Sequence, residues 1–175
     1  LTMKAILIIC DDYVSAENNA IADGVKRDKA IVEKFLDRLV ERKIVTVEKT
    51  VLQGRKATTA NVKKTLTSMK IGKNDILFIY FSGHGGMENK KTFLFFCDDE
   101  SISRDELDKI VSGKNARLSF LITDACSSSI DSVMAPKSLN KGFKKGMKDD
   151  SFDPVFRELL YSYTGMLHIS AAKEG

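Results

Sequence analysis

Phe78-Ile79-Tyr80-Phe81-Ser82-Gly83-His84-Gly85-Gly86 decides the fold class of this chain. From Ile76 to Phe81 almost no polar residue interrupts the run. A strand with one wet face alternates; one covered on both faces does not, and such strands belong to parallel sheets flanked by helices. The run then breaks into a histidine among glycines. A second run ends in the same abrupt way: Leu118-Ser119-Phe120-Leu121-Ile122-Thr123-Asp124-Ala125-Cys126-Ser127. Two neighbouring parallel strands that release an imidazole and a thiol at one edge build a Cys-His dyad, the chemistry of covalent acyl transfer.

The rest of the chain fits that sheet. Lys4–Cys10 and Ile44–Val51 read as further strands, and Met166–Ala171 as a last one. Thr92–Cys97 reads as a short strand or half a hairpin. Between the strands, apolar residues recur at helical spacing. Val25, Ile31, Val32, Phe35, Leu36, Leu39 and Val40 predict a helix from Gly24 to about Arg42. Thr58 or Thr59 caps a helix reaching about Lys70, with Val62, Leu66 and Met69 inward. Ser103-Arg104-Asp105-Glu106 matches a capping box. Asp153-Pro154 opens another helix, with proline at its first position. Alternating strands and helices predict an α/β fold: a mostly parallel sheet with helices on both faces. Such sheets bind ligands beyond the carboxyl ends of their strands, where His84 and Cys126 fall.

Bulk properties narrow the class. The 175 residues fit a single domain, 43% hydrophobic and 30% charged, as in ordinary globular proteins. Net charge is +4, and the lysines are scattered apart from a cluster at 137–148, which gives no support for nucleic-acid binding. No stretch approaches the roughly 18 apolar residues of a membrane span. Three cysteines (Cys10, Cys97 and Cys126) are an odd number, which argues for a reducing, cytoplasmic setting rather than a disulfide framework.

Cys126 is the candidate nucleophile and His84 its base, later the acid for the leaving amine. Polar Thr123, Asp124 and Ser127–Ser129 surround Cys126, whereas Cys10 and Cys97 lie in or at the end of apolar runs and read as buried small hydrophobes. His168 sits between Leu167 and Ile169 and reads as structural. Gly83, Gly85 and Gly86 permit close backbone approach and positive φ. The amides of Gly85 and Cys126 are the expected oxyanion hole. A phosphate loop is the rival use of these glycines, but Ser82–Gly86 fits no phosphate motif. Strand alternation groups Ser82 with His84, and Asp124 with Cys126. A carboxylate beside the nucleophile selects a cationic side chain, unless Asp124 merely bonds neighbouring amides.

With these residues in hand, the chain resembles the caspase-like cysteine peptidases, above all metacaspases and their bacterial relatives. Ser82-Gly83-His84-Gly85 and Asp124-Ala125-Cys126 carry the likeness, together with the order of elements and Gly24 to Asp28 at a helix start. The two motifs lie 42 residues apart, near the roughly 50 of caspases. The resemblance implies a three-layer caspase-like fold and a thiol protease acting in regulated proteolysis. It implies Cys126 as nucleophile, His84 as its partner, and a substrate pocket of Asp28, Ser82 and Asp124. Caspases place an arginine and a glutamine where this chain has Asp28 and Asp124, so the resemblance implies a protein or peptide substrate cut after Arg or Lys.

Three departures bear on that expectation. Metacaspases usually read His-Ser-Gly after the cysteine; this chain has Ser127-Ser128-Ser129. Many metacaspases need calcium, for which Asp98, Asp99, Glu100 and Asp105 are candidates at ill-fitting spacing; a solvated turn and a helix cap is their other reading, and no metal site or other cofactor is expected. The family continues beyond Ser170-Ala171-Ala172, which implies a second subunit or further segment completing the fold. The basic segment 136–150 falls where caspase-like enzymes carry an intersubunit linker, and is a candidate self-cleavage loop or an ordinary solvated one. Two other functions compete: a catalytically silent scaffold domain of the same fold, and a nucleotide-binding α/β domain.

Overall fold

The computed structural model describes residues 1–125 and 149–170. Along the chain the elements are β1 (Thr2–Ile9), α1 (Ala22–Glu41), β2 (Thr46–Gln53), α2 (Thr59–Ser68), β3 (Ile76–Gly83), β4 (Gly85–Glu88), β5 (Lys91–Phe95), β6 (Ser101–Ser103), α3 (Arg104–Ser112), β7 (Leu118–Ala125), α4 (Asp149–Ser162) and β8 (Gly165–Ser170). Five strands form one sheet in the order β2-β1-β3-β7-β8. Every neighbouring pair in it is parallel.

The uninterrupted apolar run of β3 has its expected place near the middle, with all eight residues buried. Alternation divides those residues between two cores. Leu77, Ile79 and Phe81 pack with Val62 and Leu66 of α2 and with Leu107 and Val111 of α3. Phe78 and Tyr80 pack with Val25, Leu36 and Leu39 of α1 and with Phe152 and Leu160 of α4. The result is three layers, α/β/α, as expected of a caspase-like fold. Each such side chain withdrawn from water contributes about 1.5–3 kcal/mol, so the strand that carries the site is firmly anchored.

Local signals hold at the helix starts. The Thr58 hydroxyl accepts from the Asn61 amide ahead of α2, and the Ser103 hydroxyl from the Glu106 amide ahead of α3. Two readings need correction. Helix α4 begins at Asp149, so Pro154 lies inside it rather than at its first position. Phe152 accounts for the extra turn: its ring packs against Phe35 and Phe156 and under the Arg38 guanidinium, 4.0 Å from the ring centre. The glycine-rich segment after His84, offered as a place for positive φ, is instead strand β4. It pairs antiparallel with β5, which pairs with β6, in a separate three-stranded sheet. Gly85 and Gly86 lie opposite Leu94 and Phe93.

Candidate active site

At the carboxyl edge of the sheet, β3 and β7 run side by side in register. Ser82 lies opposite Asp124, and Gly83 opposite Ala125. His84 is the next residue on one strand. Cys126 is the next on the other, and lies outside the described residues, as do Ser127–Ser129 and the segment 126–148.

His84 is held at three points. Its backbone N–H donates to the Tyr13 hydroxyl at 2.8 Å, and its carbonyl accepts from the Phe95 amide at 3.0 Å. Its ring Nε2 lies 2.9 Å from the Asn18 carbonyl oxygen. A carbonyl only accepts, so Nε2 carries the proton and Nδ1 of a neutral ring is left bare. That bare nitrogen is what a general base requires. The Tyr13 hydroxyl in turn donates to the Phe95 carbonyl at 3.2 Å, and its ring stands 5.2 Å from the imidazole. Burial, and then the neighbouring Cys10, push the Tyr13 hydroxyl well above its ordinary range, so it remains a neutral donor.

Gly83 is explained by crowding. None of the three motif glycines has positive φ; among the described glycines only Gly54 and Gly165 do. A Cβ on Gly83 would meet the Tyr13 hydroxyl at 2.7 Å, Cys10 Cβ at 2.8 Å and Phe81 Cζ at 3.0 Å. The strand passes so close to Tyr13 and Cys10 that no side chain fits, and the same closeness delivers the Tyr13 hydroxyl to the His84 amide.

Asp28, Ser82 and Asp124 come together from three elements. Ser82 is buried at 1% exposure, and its hydroxyl donates to Asp28 Oδ2 at 2.9 Å across the gap between β3 and α1. Asp124 faces Tyr80, whose hydroxyl lies 3.5 Å from Oδ2, a long contact. Burial holds the Asp124 carboxyl above the usual carboxylate range; the charge of Asp28 adds to the shift and the Tyr80 contact opposes it. Burial likewise pushes the Tyr80 hydroxyl up, followed by the charges of Asp124 and Asp28. Among the described residues neither carboxylate has a cationic partner. Two acidic groups around one buried hydroxyl, with the charge of Asp28 raising the cost of ionising Asp124, are an arrangement completed by a cation or by a proton.

The peptidase C13 family model matches residues 3–142, most of the chain, including both His84 and Cys126. The chain belongs to the peptidase C13 family. This is a family of caspase-like cysteine peptidases. Its member here is therefore a cysteine peptidase of the broad kind its two motifs resemble. No curated protein matches the chain.

Other expected roles in this C13 peptidase fall elsewhere. His168 sits on β8 with Nδ1 3.1 Å from Asp108 Oδ1, engaged with α3. Cys10 and Cys97 are buried free thiols, and Cys97 together with burial pushes the Cys10 thiol up. Asp98 accepts from the Thr59 amide and hydroxyl. Asp99 accepts from Ser15 and Asn18. These bonds employ both oxygens of Asp99 and one of Asp98, two of the four carboxylates considered for calcium. Among the described residues no three His, Cys, Asp or Glu gather as a metal site, and no helix is long and apolar enough to cross a membrane.

Sequence reading overlooked Tyr13, Asn18 and Tyr80. Tyr13 follows the first strand at its carboxyl end, a position that was a usable signal. Asn18 acts through its backbone carbonyl, which leaves no mark in a sequence.

Proposed function

We propose that this C13 peptidase is an endopeptidase in which Cys126 is the nucleophile and His84 its proton carrier, and that it cleaves after arginine or lysine. In the first step the Cys126 thiol gives its proton to His84 Nδ1 while sulfur bonds to the scissile carbonyl carbon. The resulting oxyanion is received by the Gly85 and Cys126 amides. Collapse breaks the C–N bond, and His84 returns the proton to the leaving amine. Water, deprotonated by His84, then cleaves the thioester and releases the acid with regeneration of the thiol. His84 is suited to this by the Asn18 carbonyl on Nε2.

The observation that carries the specificity is the carboxylate pair. Asp28 and Asp124 flank Ser82, two residues before His84, without a cation among the described residues. An arginine or lysine side chain supplies the missing charge and lowers the cost of ionising Asp124. These positions are also the ones that the metacaspase likeness assigns to the pocket.

Asparagine is the second reading, because the C13 family is asparagine-specific. The raised Asp124 carboxyl gives it a chemistry: a protonated Asp124 donates to a carboxamide oxygen while Asp28 accepts from its NH2. The two readings demand different protonation states of Asp124, and pH separates them. Cleavage after Arg or Lys rises with pH as Asp124 ionises; cleavage after Asn falls.

Fluorogenic peptides ending in Arg, Lys, Asn or Asp test this, with Cys126→Ala as control and with calcium added or chelated. Turnover after Arg or Lys that Cys126→Ala abolishes supports the first reading. Turnover after Asn alone replaces it with the second. Cleavage after Asp refutes the pocket. No cleavage by the intact protein favours the silent scaffold domain. We assign the enzyme a reducing, cytoplasmic setting, supported by the buried free thiols, and catalysis that proceeds without calcium, supported by the bonds that Asp98 Oδ2 and both Asp99 oxygens already accept. Segment 136–150, apart from its last two residues in α4, lies outside the described residues. Its lysyl bonds are proposed self-cleavage sites; mass spectrometry of active protein that finds them intact rejects that.

A further inference from the structure

We infer that Asp99 is a positioning residue for His84, acting through the turn at Ser15–Asn18 whose backbone carbonyl holds the imidazole. The inference rests on His84 as the proton carrier proposed above.

The connection is a short series of bonds. Asp99 Oδ2 accepts from the Ser15 amide at 2.8 Å and from the Ser15 hydroxyl at 2.7 Å. Asp99 Oδ1 accepts from Asn18 Nδ2 at 3.2 Å. One carboxylate thus grips both ends of the turn, which is closed by the Asn18 amide on the Ser15 carbonyl at 3.1 Å. The Asn18 carbonyl then accepts from His84 Nε2 at 2.9 Å. Asn18 is held by its side chain and its amide, and its carbonyl is left for the histidine.

The backbone of Asp99 adds an independent observation. Asp99 has φ 58°, the left-handed region that favours glycine. The turn there is tight, with the Asp99 amide on the Phe96 carbonyl at 3.0 Å and the Phe96 amide on the Glu100 carbonyl at 2.9 Å. Glycine is the undemanding residue for that conformation. An aspartate is there for its carboxylate, and every hydrogen bond described for that carboxylate goes to the turn behind His84. Bonding to Ser15 first, then Asn18, keeps the Asp99 carboxyl below its usual range, with Arg55 adding to the effect.

The same hairpin reaches His84 a second way. Phe95, four residues before Asp99, accepts from the Tyr13 hydroxyl and donates to the His84 carbonyl. Asp99 fixes the ring by the Asn18 side while Phe95 fixes the backbone. Small errors in a proton carrier's placement are expensive, since a displacement of about 1 Å can cost on the order of 100-fold in rate.

Asp99→Gly is the informative variant, because glycine suits φ 58° and removes only the carboxylate. The first readout is the Nε2–H resonance of His84 in water, protected from exchange by the Asn18 carbonyl. With two histidines in the chain, His168 serves as the internal reference. The second readout is kcat against KM on the best peptide substrate. The expected result is unchanged melting, a His84 resonance broadened into solvent exchange, kcat about 10-fold lower and KM within about two-fold. Asp99→Asn, which keeps one acceptor for Ser15, restores kcat to within about three-fold of wild type. A retained resonance overturns the inference whatever the activity. A lost resonance with unchanged kcat overturns its importance for the reaction. If the intact wild-type protein cleaves no peptide, the peptidase reading fails while the resonance still decides the anchor. If Asp99→Gly does not fold, Ser15→Ala tests the same link with the same readouts.

Discussion

Replacing Tyr13 by phenylalanine removes one oxygen atom from the interior and nothing else. The residue is 1% exposed, and its ring remains to fill the same space against Cys10 and His84. Two hydrogen bonds disappear: the one received from the His84 amide at 2.8 Å and the one donated to the Phe95 carbonyl at 3.2 Å. A donor left buried without an acceptor costs about 1–3 kcal/mol, and an ordinary neutral bond about 1 kcal/mol. The longer Phe95 bond contributes at the low end. Together they predict a loss of about 2–3 kcal/mol, or about 5–10 °C in Tm for a chain of this length. Urea denaturation provides the measurement, read as a lower midpoint at unchanged m value. Tyr161→Phe is the control. Its hydroxyl also reaches a backbone carbonyl, that of Ile44 at 2.8 Å, but from a residue that is 50% exposed. Water replaces that bond, so its cost stays below about 1 kcal/mol. The variants should also differ in activity, because only Tyr13 holds the histidine backbone. A Tyr13→Phe loss below about 0.5 kcal/mol, or one equal to that of Tyr161→Phe, refutes the account of His84 as clamped from beneath.

Gly83→Ala should cost about 1–3 kcal/mol by overpacking, and should lower activity as well, since the atoms it displaces include the Tyr13 hydroxyl and Cys10 Cβ; thermal melting alongside peptide turnover measures both. Asp124 has its carboxyl raised by burial and by Asp28, so its contribution to stability is full below the unfolded carboxylate pKa and is lost as pH rises through the raised folded value. Asp124→Asn should therefore gain stability relative to wild type at neutral pH and not in acid, while losing turnover of basic peptides; equal urea midpoints at both pH values would contradict the shift. Ser103→Ala removes the cap on the Glu106 amide and should cost about 1 kcal/mol without changing KM, as read by denaturation and steady-state kinetics.

The sheet was legible because β3 is apolar on both faces, and because β3 and β7 both stop at polar, reactive residues. That pattern gives the parallel pairing, the three layers and the placement of His84 at the carboxyl edge. The grouping of Asp28, Ser82 and Asp124 was not legible from alternation alone. It came from a resemblance, and its physical basis is visible only once α1 crosses the carboxyl end of β3 near enough for Asp28 to accept from Ser82. The glycines were legible only in part, for a related reason: close backbone approach holds at Gly83, positive φ at none of the three. Sequence offers positive φ as the general use of glycine, whereas Gly83 answers to one hydroxyl and one thiol-bearing Cβ that arrive from another strand end.

What remained hidden has a common physical form: groups that act through backbone atoms. The Asn18 carbonyl fixes the tautomer of His84, and the Phe95 peptide fixes its main chain, yet neither residue's side chain performs the task. The side chains that place those peptides, Tyr13 and Asp99, are one step removed from the imidazole. A sequence reading that seeks reactive side chains finds His84 and Cys126 and stops there. The histidine's competence, however, depends on which of its nitrogens is bare, and that is decided by a carbonyl on a turn gripped by a carboxylate some 80 residues away. The sequence also offers Asp99 as one member of an acidic group for calcium. Its three donors are Ser15 and Asn18 groups, so its charge is directed at the turn, and the local rule it breaks, a left-handed non-glycine residue, is the sign that it is held there for its side chain.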